Sequence, residues 1–385
     1  MSSVVEDLGT IPGIEAYLQD KPQFAARTVE KLLGGYANFT YRIYLHRAFA
    51  GRQTLVLKYA PPYAPASNGR FPLDQKRQLI EVQALRLAGR LSAANVPAFI
   101  TVPAVHLFDE EKHVFIMDDA GEDCRTLKEL LIEESFPQAV SEQIGRALGE
   151  FIIGVHTWNQ NPDTDLTLFA NSQVGKYIAA LINYGRLEST LTGKHGIDTP
   201  ALSDPLLDIP EAKMATILKL AERRQQEIYA TSASDPMTHG DLWPGNLVVS
   251  LRRGTDGNIE GVEKLYVLDW ELGKTGLPGL DLGQFCAEMY TLSEFYPTRR
   301  ESTQTIIGSF LGTYGEWRGK GEDIELARIV MSHIGAHLVT WTPRIRSWSG
   351  RQKTREVVEK GVEMLVLGEE GTESSLRESI VGPLL

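Results

Sequence analysis

Two cysteines in 385 residues, Cys124 and Cys286, leave no disulfide framework and no thiolate metal site around which to build a fold. Such scarcity fits a reducing compartment. No run approaches the ~20 apolar residues that a membrane-spanning helix needs, so no membrane partner is expected. The opening MSSVVEDLGTIPG lacks the basic-then-apolar order of a secretory leader, and a cytoplasmic protein is expected. Positive charge is also short. The chain has 39 Lys and Arg against 50 Asp and Glu, a formal net charge of -11, which argues against a nucleic-acid partner while permitting a local basic pocket. Internal repeats and low-complexity tracts are missing too. What remains is the ordinary composition of a globular chain, 42% hydrophobic and 23% charged, and long enough for two lobes. Oligomeric state leaves no mark in it.

The pattern of the first lobe is strand-rich. After a short helix, IPGIEAYLQD, come VEKLLGG, FTYRIYL and QTLVLKYA. Tyr41, Ile43 and Leu45 alternate with Thr40, Arg42 and Tyr44, the period of a half-buried strand. PPYAPASNGRFP (61–72) is a loop by composition. Residues 74–91 have helical spacing, and VPAVHLF and HVFIMDD give two more strands. A five-stranded mixed sheet with one main helix is predicted for residues 1–117. From 118 to 385 the texture is mostly helical. Ile144, Ala147, Leu148, Phe151, Ile152 and Val155 share one stripe, LVVSL and KLYVLDW flank the turn RRGTDGN, and 283–367 is helical again. The polar tail LGEEGTESSLRESIVGPLL is expected to fray. The fold class is therefore α+β and bilobal, with the larger lobe C-terminal.

Four features carry chemistry. GGYAN (34–38) places Gly34 and Gly35 between strands, where missing Cβ atoms let backbone N–H groups approach a phosphate; a plain hairpin turn is the alternative. Lys58 stands in the apolar strand LVLKYA and is costly to bury without an anion, for which Glu81 on the following helix is the natural partner. Kinase-type sites use such a pair to hold nucleotide phosphates. HGDLWPGN (239–246) matches H-x-D-x-x-x-x-N, the catalytic-loop spacing of kinases. Asp241 there would accept or orient a hydroxyl proton and Asn246 could reach a metal, while His239 would hold the loop. Finally, LDWELG puts Asp269 at a strand end with Glu271 two residues on, to the same side if the chain stays extended. Hard oxygen ligands of this kind suit Mg2+.

Order and spacing together resemble the aminoglycoside phosphotransferase and choline kinase superfamily, small-molecule kinases with a protein-kinase-like fold. HGDLWPGN and LDWELGKTGLPGLDLG match its two signature segments, and the likeness runs from about Gly34 to Trp341. Within it, the sequence resembles the methylthioribose-kinase-like branch. The resemblance implies an ATP- and Mg2+-dependent transfer of a γ-phosphoryl group to a hydroxyl of a small metabolite. It implies Asp241 as catalytic base, Asn246 and Asp269 as Mg2+ ligands and Glu271 as a further one. Lys58 would contact the phosphates with Glu81 as partner, beside the Gly34, Gly35 and Asn38 loop. The adenine would meet backbone at Met117, Asp118, Asp119 and Ala120. A protein kinase would carry an A-P-E motif after D-F-G; here DWE is followed almost at once by GLPGLDLG, which favours a small acceptor. A choline-, ethanolamine- or aminoglycoside-type kinase and a silent nucleotide-binding protein are the alternatives. A metal-dependent hydrolase would want more clustered histidines.

The acceptor pocket leaves the faintest trace. GAHLVTWTPRIRSW offers Trp341 as an aromatic wall for a ring or cation, and Arg344 and Arg346 for an acidic group. Glu288, in QFCAEMYTL, would receive an amine. The acidic chain favours an aromatic or amine-bearing alcohol over an acidic one. The plainer alternative makes Trp341 core and both arginines solvated surface.

Overall fold

Burial in the first strands follows the alternation in the sequence: Tyr41, Ile43 and Leu45 are at most 1% exposed and pack against Ile14, Tyr17 and Leu18 of the helix Ile11–Gln19. The computed structural model describes residues 7–33, 35–67, 69–91, 97–194, 199–203, 205–318, 323–345, 348 and 350–385. The chain folds as two compact units, Met1–Arg90 with Val102–Cys124, and Leu91–Thr101 with Arg125–Leu385. The whole is α+β.

The first unit holds five strands in the spatial order Ala26–Leu32, Phe39–Phe49, Arg52–Tyr59, Val114–Asp118, Val105–Asp109. Every neighbouring pair is antiparallel, which corrects the mixed sheet expected from the sequence. The reason is the connection between the last two strands. Residues 110–113 are too few for the crossover that a parallel pair needs, so the chain turns back as a hairpin. Thr40 stands opposite Lys58, and Lys58 opposite Phe115, so these side chains share the face away from Tyr41 and Leu57. The helix Arg77–Leu91 supplies their partner.

In the second unit the strands Leu247–Arg253 and Ile259–Val267 form the expected antiparallel hairpin around RRGTDGN. The helix Gln138–His156 buries its whole predicted stripe, from Ile144 to Val155. Gly145 and Gly149 let the backbone of Arg300–Arg318 come close: a Cβ at these positions would lie 2.6 Å from Ile306 O and 2.8 Å from Phe310 O. The helices Glu211–Ala230, Pro278–Phe295, Ile324–Trp341 and Arg351–Glu370 are the other long helices of this unit. The C-terminal tail does not behave as expected. Leu376 and Val381 are fully buried and Leu384 is 8% exposed, with Pro383 and Leu384 lying against Gly312 and Gly315.

One buried polar network ties these helices to the segment 239–246. Asp281, in the first turn of Pro278–Phe295, accepts from the backbone N–H groups of His239 at 2.6 Å and Gly240 at 2.9 Å. Its Oδ2 lies 3.1 Å from His156 Nε2, and His156 Nδ1 lies 2.9 Å from Tyr314 Oη. Burial alone would push the Asp281 carboxyl up; the bond from His156 and the nearby Lys274 ammonium bring it down to about 2.

Asp281→Ala is expected to destabilise the protein by roughly 3–5 kcal/mol, the scale for breaking a buried charged network, read as a lower denaturant midpoint. Because the folded pKa lies below the ordinary 3.8, the ionised carboxylate stabilises the fold above that value and the contribution is lost as pH falls toward about 2. That term is on the order of 2 kcal/mol. Stability measured between about pH 5 and 2 should therefore fall less steeply in Asp281→Asn than in the parent. Equal slopes would remove Asp281 from the account.

Candidate active site

The octet 239–246 joins the strand Met237–Thr238 to the strand Leu247–Arg253 through a tight turn. Gly240 has φ +85, and a Cβ there would come within 2.1 Å of Leu272 O, so no other residue fits without a shift. His239 is fully buried with its ring 4.3 Å from that of Trp270. Burial lowers its pKa, and a neutral ring fits its bonds. Nε2 donates to Leu268 O at 2.9 Å, and Nδ1 accepts from the Asp241 N–H at 3.2 Å. His239 thus holds the loop, as its spacing implies.

Asp241 is framed by amides. Asn246 Nδ2 donates to its carbonyl at 2.9 Å and to Oδ2 at 3.1 Å, and Gln284 Nε2 donates to Oδ1 at 2.6 Å. Burial, then the charge of Asp269, push its pKa up, Glu271 adding to the rise; the two amide bonds oppose them, and the result is about 7.

Asp269 and Glu271 present carboxylate oxygens within 4.8 Å of each other. They do not meet by extended chain, as the sequence spacing assumes. Asp269 has φ +64, and Gly273 N–H bonds back to Trp270 O at 2.9 Å. A left-handed turn brings them together, a conformation aspartate tolerates better than most residues. Trp270, fully buried between them, donates from Nε1 to Val267 O at 3.1 Å and packs on Trp158 and Phe151. Leu268 N–H reaches Asn246 O at 2.9 Å, tying this strand end to the octet. The donors are hard oxygens, and their charge adds to the rise that burial gives the Asp241 pKa, so the set fits a divalent cation such as Mg2+.

In the first unit Lys58 is 7% exposed and pairs with Glu81 at 2.8 Å. Gly34 lies outside the described residues. Gly35 and Asn38 belong to a loop clamped by Arg77, which the sequence pattern does not reveal. Arg77 Nη2 donates to Ala37 O at 2.9 Å, Asn38 Oδ1 at 3.2 Å and Pro61 O at 2.8 Å, and Nη1 donates to Asp74 O at 3.0 Å. Met117 and Asp118 end the strand Val114–Asp118, and Asp119 and Ala120 follow it. The Asp118 side chain is taken by Arg52 and His106, and Asp119 by Arg42, all within this unit.

Three of the four acceptor candidates can be placed. Glu288, 6% exposed, sits 2.8 Å from His337 Nε2. The His337 ring stacks on that of Trp341 at 5.8 Å, and Trp341 Nε1 donates to Asn183 Oδ1 at 3.0 Å. Asn183 lies in the π-helical turn Leu181–Gly185, a distortion that often marks functional positions. Glu288 and Trp341 therefore belong to one connected group. Arg344 does not join it. Its guanidinium donates to Thr340 O and to Thr190 Oγ1, half-buried rather than solvated, with its pKa pushed down to about 10 by burial and by Arg186. Arg346 lies outside the described residues. Gln284, Asp281 and His337 do not stand out from the sequence. The only signal for Gln284 and Glu288 is helical spacing after LDLG.

Residues 28–319 match the model of the phosphotransferase enzyme family. The chain is 26% identical over 362 residues to a 4-hydroxytryptamine kinase of Psilocybe cubensis, covering 92% of each chain. It is also 26% identical over 249 residues to a methylthioribose kinase of Bacillus mycoides, covering 64% of this chain and 57% of that one. A solved choline/ethanolamine kinase family protein from Mesorhizobium loti aligns over 96% of this chain and 99% of its own at 14% identity, with a TM-score of 0.47. With the family model spanning most of its length, the chain belongs to the phosphotransferase enzyme family.

Proposed function

We propose that this phosphotransferase is a small-molecule kinase that moves the γ-phosphoryl group of ATP, with Mg2+, onto a hydroxyl of a small metabolite. The observation that carries the reading is Asp241, a carboxylate held by Asn246 and Gln284 beside the Asp269–Glu271 pair. Its relatives include kinases named for 4-hydroxytryptamine and for methylthioribose, both of them small acceptors.

Phosphoryl transfer is mostly positioning and neutralisation of charge. Asp241 accepts the proton of the acceptor hydroxyl; each of its oxygens keeps lone-pair capacity beyond the single amide bond it receives. Asn246, Asp269 and Glu271 would hold Mg2+, which supplies the counter-charge for the phosphates. Lys58, oriented by Glu81, contacts the phosphates, and the loop of Gly34, Gly35 and Asn38 lends its backbone to them. Backbone groups from Met117 to Ala120 receive the adenine. Residues 1–117 thus act as the nucleotide-binding lobe and 118–385 as the lobe of catalytic loop, metal site and acceptor. Glu288 and Trp341 face the acceptor; the bonded, half-buried Arg344 is a structural residue in this reading.

Asp241→Asn keeps the shape and loses the carboxylate. Turnover should drop at least ~100-fold with ATP affinity little changed, the scale for a positioned acid–base group; near-normal turnover removes Asp241 from the role. Asp269→Ala should abolish Mg2+-dependent ADP formation across a panel of small alcohols. Diffraction from crystals soaked with Mg2+ and an ATP analogue should place metal density at Asp269 and Asn246, and density elsewhere refutes the assignment. Trp341→Ala should raise the acceptor KM while leaving the KM for ATP alone, as expected for lost uniform binding. If thermal stability falls and the acceptor KM does not move, Trp341 is a packing residue.

A further inference from the structure

The helix Pro278–Phe295 carries Gln284 and Glu288 one turn apart on one face. Gln284 donates to Asp241, so Glu288 lies about one helical pitch, ~5 Å, farther along from that carboxylate. His337 takes Glu288 Oε1, while Glu288 Oε2 and His337 Nδ1 are buried without a hydrogen-bond partner among the described residues. A carboxylate oxygen only accepts, so the buried Glu288 Oε2 calls for a ligand that donates.

Beside them is a second arrangement. Lys128 Nζ lies 4.8 Å from the ring centre of Trp243 and 4.8 Å from that of Trp348. Trp243 belongs to the same octet as Asp241. Trp348 is 6% exposed and is backed by Phe295 at 5.1 Å and Tyr296 at 6.1 Å. Lys128 is close enough to Glu288 for its charge to help hold that carboxyl down. Tryptophan faces at this range from a cation are how proteins take up quaternary ammonium groups. Here the slot already contains the chain's own ammonium. A quaternary nitrogen would have to displace Lys128 to reach the rings, and it has no N–H to give Glu288. An amine that keeps an N–H donates to Glu288 Oε2 without entering the slot.

We propose that Lys128 is a specificity-determining residue of the acceptor site. Its tethered ammonium fills the Trp243–Trp348 slot and excludes quaternary ammonium alcohols, leaving Glu288, held by His337, to receive an alcohol whose amine retains an N–H. The inference rests on the kinase reading only for its turnover measurement; binding stands apart from it.

The test uses one hydroxyphenylethylamine carrying no, two or three N-methyl groups, plus the same skeleton with a hydroxyl in place of the amine, titrated calorimetrically into the full chain. The parent should bind the first two and bind the quaternary form at least roughly ten-fold more weakly. Lys128→Ala and Lys128→Gln, each checked by circular dichroism and thermal melting, should bring the quaternary form to within about two-fold of the dimethyl form. Lys128→Arg should keep the exclusion, and adding Trp243→Leu to Lys128→Ala should cancel the gain. Glu288→Gln should weaken the N–H amines roughly ten-fold and spare the neutral skeleton, as expected for a lost charge-assisted bond. The proposal is overturned if the parent binds the quaternary form as well as the dimethyl form, if it binds no member, or if both neutral Lys128 variants fold without the gain. Turnover with ATP and Mg2+ separates the two readings. The expected binding order without any ADP leaves Lys128 standing and the kinase reading fallen. Equal turnover of quaternary and dimethyl forms by the parent does the reverse.

Discussion

The second unit depends on a single carboxylate placed where no water reaches it. Asp281 is 1% exposed, yet it takes two backbone N–H groups from the octet and faces His156. A buried charge is tolerated only when its lone pairs are filled, and the cheapest donors available are the amides of a turn that has no ladder of its own. The same bonds that ionise Asp281 fix the direction in which the turn leaves the strand. From there the rest follows: Gly240 adopts its positive φ, His239 seals the loop to Leu268, and Asp241 emerges between Asn246 and Gln284. Asp281 and Gln284 lie on one helix, so the anchor of the loop and the amide that steadies its aspartate move together.

Charge of one sign accumulates beside this anchor. Asp241, Asp269 and Glu271 are close enough that the latter two raise the pKa of the first. Repulsion of this kind is a standing cost to the folded chain, and a bound cation relieves it. The left-handed backbone at Asp269 adds strain of the order of 1–3 kcal/mol. Trp270 offsets both by driving a large apolar surface into the core at the point of strain, with His239, Trp158 and Phe151 around it.

Much of this was legible in the sequence, and for identifiable reasons. Alternation fixes which face of a strand is buried, so Tyr41, Ile43 and Leu45 read correctly, as did the stripe from Ile144 to Val155. Short motifs record local geometry, so the turn of the octet could be read without coordinates, and the cost of burying the Lys58 ammonium in an apolar strand pointed to Glu81 as its partner. Strand direction is not a local property, and the sheet taken as mixed is antiparallel. The turn at Asp269 escaped because aspartate, unlike glycine, does not advertise a positive φ. Gln284 meets Asp241 across 43 positions and His337 meets Glu288 across 49, and no spacing rule spans such distances. The tail read as polar because three buried residues are outvoted by their neighbours.

Arg77 bears on the first unit in a way its charge does not suggest. A guanidinium beside a glycine-rich loop invites the view that it attracts anions, but its Nη2 is committed to the carbonyls of Ala37 and Pro61 and to the amide oxygen of Asn38. A trans peptide is planar, with C=O and N–H pointing in opposite directions. By drawing Ala37 O toward itself, Arg77 turns the N–H of the Ala37–Asn38 peptide to the other side of the loop. The cation acts as a steering group: its charge orients the dipole of a neutral peptide, and polarity reaches the far side of the loop by rotation of a rigid plane, with no long-range field required.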